Sequence, residues 1–348
     1  MPESPLYCTR CSRRYRPRTA AGGAQLHCAA CGGPLADRRE RGGARPGDPF
    51  RGRTVGGARL RKLLAVRPTH CVYRAAHMQL RTTVRVEAFS NEFAERNADY
   101  MAQHFRAAAA TRDLRSTYVV TLLDVGRRAD CWFIVLEWAP SDLRALLETR
   151  APLPVNRALG LLEGVLAGLD AVHAAGLVHG DVTPEGILLA RDGSPKLDHL
   201  AALPRAEELG RLVLSPGGCL AGPALYIAPE RAVGQQGDIR SDLYSLGATA
   251  FEMLAARPPY AGRSAQEVLD GHAGDSRPDL REARPDVPDG IAAFVRRLMA
   301  REPSARPADP AEALSELRQV GIDLSRRKVG EQVVFRVTEM LAIRVEKP

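Results

Sequence analysis

Lysine is scarce in this chain: only Lys62, Lys196, Lys328 and Lys347 occur among 348 residues. Any chemistry that needs an ammonium group therefore has few candidates. Aromatic residues make up 5% of the chain, so the 45% hydrophobic content must build its core from Leu, Val and Ala. No apolar stretch reaches the roughly eighteen residues of a membrane-spanning helix. The most apolar part, residues 158–175, is interrupted by Glu163 and Asp170 and reads as a buried amphipathic helix. The N-terminal MPESPLYC lacks the basic and apolar regions of a secretory signal. These absences argue for a cytoplasmic protein with no membrane partner.

Positive charge is present but uneven. Residues 1–67 hold 15 Arg and Lys against 4 Asp and Glu, which leaves 34 against 37 of the chain's 49 and 41 for the remainder. A basic head of this kind suits nucleic acid or another anionic partner, or a solvated linker. Within it, Cys8-Thr-Arg-Cys11 and Cys28-Ala-Ala-Cys31 form two CxxC pairs. Two such knuckles can present four thiolates to one ion in a tetrahedral set. A module this small needs metal binding to supply folding energy. The pattern resembles a zinc ribbon over residues 1–36, with Cys8, Cys11, Cys28 and Cys31 as ligands of a structural zinc. Cys71, Cys131 and Cys219 show no pairing pattern and read as packing residues. Residues 37–54, rich in Arg, Gly and Pro, read as a linker.

From about residue 55 the periodicity predicts strands over 58–66, 71–77, 82–88, 120–126 and 131–137, with one helix over 91–110. Beyond Pro140 it predicts helices over 141–149, 155–175, 241–255, 264–272, 290–300 and 310–320. The expected class is α+β, with a β-rich lobe at 55–137 and a helical lobe at 138–320.

The motifs make this organisation specific. Val178-His179-Gly180-Asp181-Val182-Thr183-Pro184-Glu185-Gly186 precedes the apolar Ile187-Leu188-Leu189, and Asp198-His199-Leu200 follows. Further on come Gly222-Pro223-Ala224-Leu225-Tyr226-Ile227-Ala228-Pro229-Glu230, Asp242-Leu243-Tyr244 and Glu302-Pro303-Ser304-Ala305-Arg306. In order and spacing these resemble the eukaryotic-like Ser/Thr protein kinase domains that bacteria carry. The resemblance implies a bilobal fold, ATP and magnesium as cofactors, and phosphoryl transfer to protein. It places Asp181 at the catalytic-base position and Asp198 at the magnesium position. It places Val72, Thr83, Arg85, Glu137 and Leu188 around the nucleotide. His179, Glu230, Asp242 and Arg306 take structural positions, with Glu230 and Arg306 as a buried ion pair.

Phosphoryl transfer depends on positioning and on cations at the phosphates, and there the chain departs from the family. The catalytic-loop Lys and Asn positions read Thr183 and Gly186. The strand lysine reads Arg85, and a broad planar fork does not reproduce a compact ammonium. No lysine lies between Lys62 and Lys196, so Lys62 on the first strand is the one substitute. The lysine's helical Glu partner would fall near Ala107 or Ala108, unless the register lets Glu92 or Glu95 serve. The glycine-rich loop is replaced by Ala65-Val66-Arg67-Pro68-Thr69-His70-Cys71-Val72. Pro223 stands where the family has a threonine.

Three readings follow. The leading one is a regulatory or scaffolding pseudokinase that binds another protein. The second is a divergent active Ser/Thr kinase using Asp181, Asp198 and either Arg85 or Lys62. The third is a nucleic-acid-binding protein acting through the ribbon and the basic linker. Residues 321–348 carry no assignable role.

Overall fold

The computed structural model describes residues 48–322, apart from positions 68, 115, 129–130, 199–212, 215–219, 222 and 262–264. It also describes, as backbone strands, β1 (Leu6–Cys8), β2 (Arg14–Tyr15), β3 (His27–Cys28) and β4 (Leu35–Ala36). Strand β1 pairs antiparallel with both β2 and β4.

The smaller lobe is a six-stranded sheet of β5 (Thr54–Val55), β6 (Ala58–Val66), β7 (Cys71–His77), β8 (Thr82–Ser90), β9 (Leu122–Arg128) and β10 (Cys131–Glu137). They lie in the order β5-β6-β7-β8-β10-β9 and every neighbouring pair is antiparallel. Gly56 and Gly57 join β5 to β6 with φ of 48° and 68°. A two-residue hairpin that matches strand twist needs two positive φ values, which glycine adopts at no steric cost. Cys71, Tyr73, Ala75, Val84, Val86, Ala88 and Cys131 are buried together in one apolar cluster. The packing roles expected for Cys71 and Cys131 thus hold.

The single helix expected over 91–110 is two: α1 (Asn91–Arg96) and α2 (Ala98–Ala110). Asn97 separates them at φ −132°, and its side-chain amide and backbone N–H both donate to the Phe93 carbonyl. A short polar side chain that competes for backbone groups breaks a helix in this way. Helix α2 then packs Met101 and Ala108 against Phe89, Leu122 and Ile134 of the sheet.

The larger lobe opens with β11 (Ser141–Asp142), α3 (Leu143–Arg150) and α4 (Val155–Ala174). After these come β12 (Ile187–Leu189), β13 (Pro195–Leu197), β14 (Val213–Leu214) and β15 (Leu220–Ala221). Its remaining helices are α5 (Pro229–Ala232), α6 (Ile239–Ala255), α7 (Ala265–Ala273), α8 (Leu280–Ala283), α9 (Asp289–Leu298) and α10 at 310–322. Helices α4, α6 and α9 share the main core, with Leu162, Leu166, Leu246, Phe251, Phe294 and Leu298 buried. Helix α6 starts on a reciprocal capping box between Asp238 and Ser241. No helix among the described residues is long and apolar enough to cross a membrane.

Candidate functional site

The cleft wall is built by the alternation of β8. Val84, Val86 and Ala88 enter the small-lobe core. Successive residues of a strand face opposite ways, so Arg85 and Glu87 line the cleft. Both are buried. Arg85 donates from both terminal nitrogens to the Asp198 carboxylate, with Nη2–Oδ1 at 2.5 Å, and lies 3.1 Å from Glu87. Burial works against the guanidinium's charge, but Asp198 and Glu87 outweigh it and raise the Arg85 pKa. Burial likewise pushes Glu87 up, but His70, Arg85 and His104 overcome this and hold it well below the carboxylate range.

Arg85 thus finds its partners outside the helix. Helix α2 offers His104 and Ala108 to the same cavity, and Glu92 instead makes an exposed i,i+4 pair with Arg96. Glu95 is exposed too, so neither glutamate serves as the partner. Glu87 fills that role from the same strand. Lys62 is exposed on β6 and does not replace the missing ammonium.

The loop before Val72 is tied down. Arg67 N–H donates to the His70 carbonyl at 2.8 Å. The His70 ring sits 4.9 Å from Phe89, and its Nε2 is 3.9 Å from Glu87. His104 approaches the same Glu87 oxygen at 3.9 Å from the helix side. Bulky side chains thus stand where backbone amides would need to approach phosphates. The cavity lined by Arg85, Glu87, His104, Leu136, Leu197 and Asp198 measures about 40 Å³.

Val72 is buried, while Thr83, Glu137 and Leu188 are half-buried. Glu137 Oε1 takes a salt bridge from Lys196 at 2.8 Å and the Thr121 N–H at 3.0 Å. One of the chain's four lysines thus joins the last strand of the small lobe to β13 of the large one.

The catalytic-loop positions are braced from beneath. Asp242 of α6 accepts the N–H groups of His179 at 2.8 Å and Gly180 at 2.7 Å, and bonds His173 Nε2 at 2.8 Å. Asp181 is half-buried, and its N–H donates to His179 Nδ1 at 3.2 Å. Thr183 is buried and accepts the Gly186 N–H at 3.2 Å. A Cβ at Gly186 would lie 2.7 Å from the Asp181 carbonyl oxygen, so the loop has closed over the place where a metal-binding side chain would start.

Two buried clusters support this loop. Glu230 and Arg306 form the expected pair, with two bonds of 2.8 Å. Arg306 also donates to the carbonyls of Arg240, Ala300 and Arg301, which satisfies all five guanidinium hydrogens. Burial raises Glu230, but hydrogen bonds from Arg306 and Ser241 hold its pKa below the ordinary value. The second cluster was not foreseen. Arg144 of α3 donates to Glu185 at 2.8 Å, to Glu252 at 2.6 Å and to the Tyr226 hydroxyl, which in turn donates to Glu252.

The magnesium positions do not fit the ion. Asp198 has its carboxylate engaged by Arg85, and Gly186 contributes no oxygen from a side chain. His199 and Leu200 lie outside the described residues, as do Cys11, Cys31 and Cys219; Cys8 and Cys28 are described only as strand backbone. Among the described residues no group of three or more His, Cys, Asp or Glu side chains suits a metal.

The protein kinase domain family matches residues 69–317. The serine/threonine-protein kinase PknL of Mycobacterium tuberculosis is 31% identical over 258 residues, covering 74% of this chain and 64% of that protein. A probable serine/threonine-protein kinase, pknA2 of Bifidobacterium longum, is 28% identical over 256 residues, or 73% of this chain and 33% of that protein. The chain thus spans less than two thirds of these relatives. The crystal structure of the Mycobacterium tuberculosis PknI kinase domain superposes with a TM-score of 0.60 at 22% identity, covering 77% of this chain and 98% of that one.

Proposed function

Because the chain belongs to the protein kinase domain family, we propose that it is a kinase-fold module with phosphoryl transfer suppressed, serving as a regulatory or scaffolding partner of another protein. One observation carries this reading: the Arg85 fork holds Asp198. Magnesium needs that carboxylate free, and separating a buried ion pair costs about 3–5 kcal/mol when a charge is left uncompensated. The Gly186 closure and the His70 contact with Glu87 act in the same direction.

The intact brace beneath Asp181 favours a second reading, an active Ser/Thr kinase in which Arg85 leaves Asp198 for the phosphates. The two are separated by titrating the protein with ATP, with and without magnesium, while following its melting temperature. Radiolabel transfer from ATP is measured in parallel. The suppressed module shows no magnesium-dependent rise and no transfer. Magnesium-dependent transfer that is lost in Asp198→Ala establishes the kinase instead. As part of the same proposal, Cys8, Cys11, Cys28 and Cys31 hold one structural zinc per chain, which metal analysis of the purified protein checks.

A further inference from the structure

Two segments far apart in sequence meet through their backbones. Strand β14 forms a hairpin with β15, with Val213 opposite Ala221 and Leu214 opposite Leu220. Its other edge pairs in parallel with β3, with Val213 opposite His27 and Leu214 opposite Cys28. The resulting sheet runs β15-β14-β3, so β14 is the central strand and depends on the N-terminal segment for one of its two ladders.

This β14–β15 hairpin belongs to the stretch between Asp198 and Glu230. The chain that follows it is anchored, since Ala224, Leu225 and Tyr226 are buried with Ala248 of α6 and Val268 of α7. The N-terminal partner strand ends on Cys28, the first cysteine of the second CxxC pair.

We propose that the cysteine-paired N-terminal module docks in cis on the Asp198–Glu230 segment by strand addition, β3 completing the exposed edge of β14. An edge strand left with unpaired N–H and C=O groups recruits a further strand, and main-chain bonding of this kind is a general mode of segment capture. The module and the segment then form one cooperative unit. Whatever orders the knuckle at Cys28 orders the β14–β15 hairpin, and the reverse holds by linkage. The docking is independent of whether phosphate is transferred.

Hydrogen exchange on the full chain tests the coupling in both directions. Proline removes the N–H a ladder needs, so Leu214→Pro is expected to speed exchange in peptides covering residues 24–32 several-fold. His27→Pro is expected to do the same in peptides covering 208–222. Helix α6 serves as the folding control and is expected to stay protected in both variants. Unchanged exchange in the opposite segment overturns the proposal.

A second measurement avoids proline. In the double variant His27→Cys/Val213→Cys, mildly oxidised without chelator, the two directly opposed positions are expected to form an intrachain disulfide, because facing strand residues lie within disulfide reach. A link between positions 27 and 213 found only between two chains, or none at all, rejects docking in cis.

Discussion

The two sides of the catalytic loop have opposite fates. Beneath it, Asp242 holds His179 and Gly180, and Glu230 holds Arg306, in the arrangement the family resemblance implies. Above it, Arg85, Thr183 and Gly186 stand where the family resemblance implies other groups, and Arg85 is bonded to the retained Asp198. The difference lies in where each group finds its partner. Frame residues are satisfied within the chain, and losing one leaves a buried charge unpaired. Cleft residues owe their partners to a ligand, so once ligand handling lapses they are free to change or must pair internally.

That contrast can be broken most forcefully in the frame. Arg306→Ala strands Glu230 and three carbonyls, and is expected to cost about 3–5 kcal/mol of stability in urea titration. In the cleft, Asp198→Ala is expected to cost about 1.5–3 kcal/mol, the value of hydrogen bonds to a charged group and less than a stranded charge, because Glu87 stays 3.1 Å from Arg85. An Asp198 kept only for metal would leave stability unchanged, so this variant sharpens the comparison directly. A double-mutant cycle with Arg85→Met should return a coupling between the two residues.

Acid sensitivity gives a graded test. Burial pushes His272 down to about 3, so the fold keeps it neutral. The unfolded chain takes up this proton below its ordinary value near 6.5. The stabilisation is therefore complete above that pH and declines as pH falls towards 3, by at most about 1.4 kcal/mol per unit. Urea midpoints between pH 7 and 4 should show the slope in the wild type and a smaller one in His272→Gln. The smallest effect is expected from Glu92→Ala, which removes an exposed pair with Arg96 and should change stability by less than about 0.5 kcal/mol.

Much of the fold was legible in the sequence because its signals are local or ordered along the chain. The alternation through Val84, Val86 and Ala88 marks a strand, and the motif order from His179 to Arg306 marks the two lobes. The site was legible as a set of positions but not as a set of partners. Arg85 was singled out in the sequence, yet its bond to Asp198 spans 113 residues and follows no spacing rule. The same holds for Arg144, whose acceptors lie 41, 82 and 108 residues away. Glu87 escaped notice because a single glutamate in a strand reads as an outward residue, and only the neighbouring Arg85 and the two histidines show otherwise. The Asn97 break rested on one side-chain amide, too small a signal to interrupt a twenty-residue helical pattern.

Strand β8 carries one more consequence. Its core residues Val84, Val86 and Ala88 alternate with Arg85 and Glu87, so a slip of one residue against β7 or β10 would exchange the two sets. Two charges would enter an apolar core and leave Asp198 without its fork. The bond between Arg85 and Asp198 thus also guards the register of the strand, and a change that frees Asp198 gives up part of what holds the small lobe in alignment.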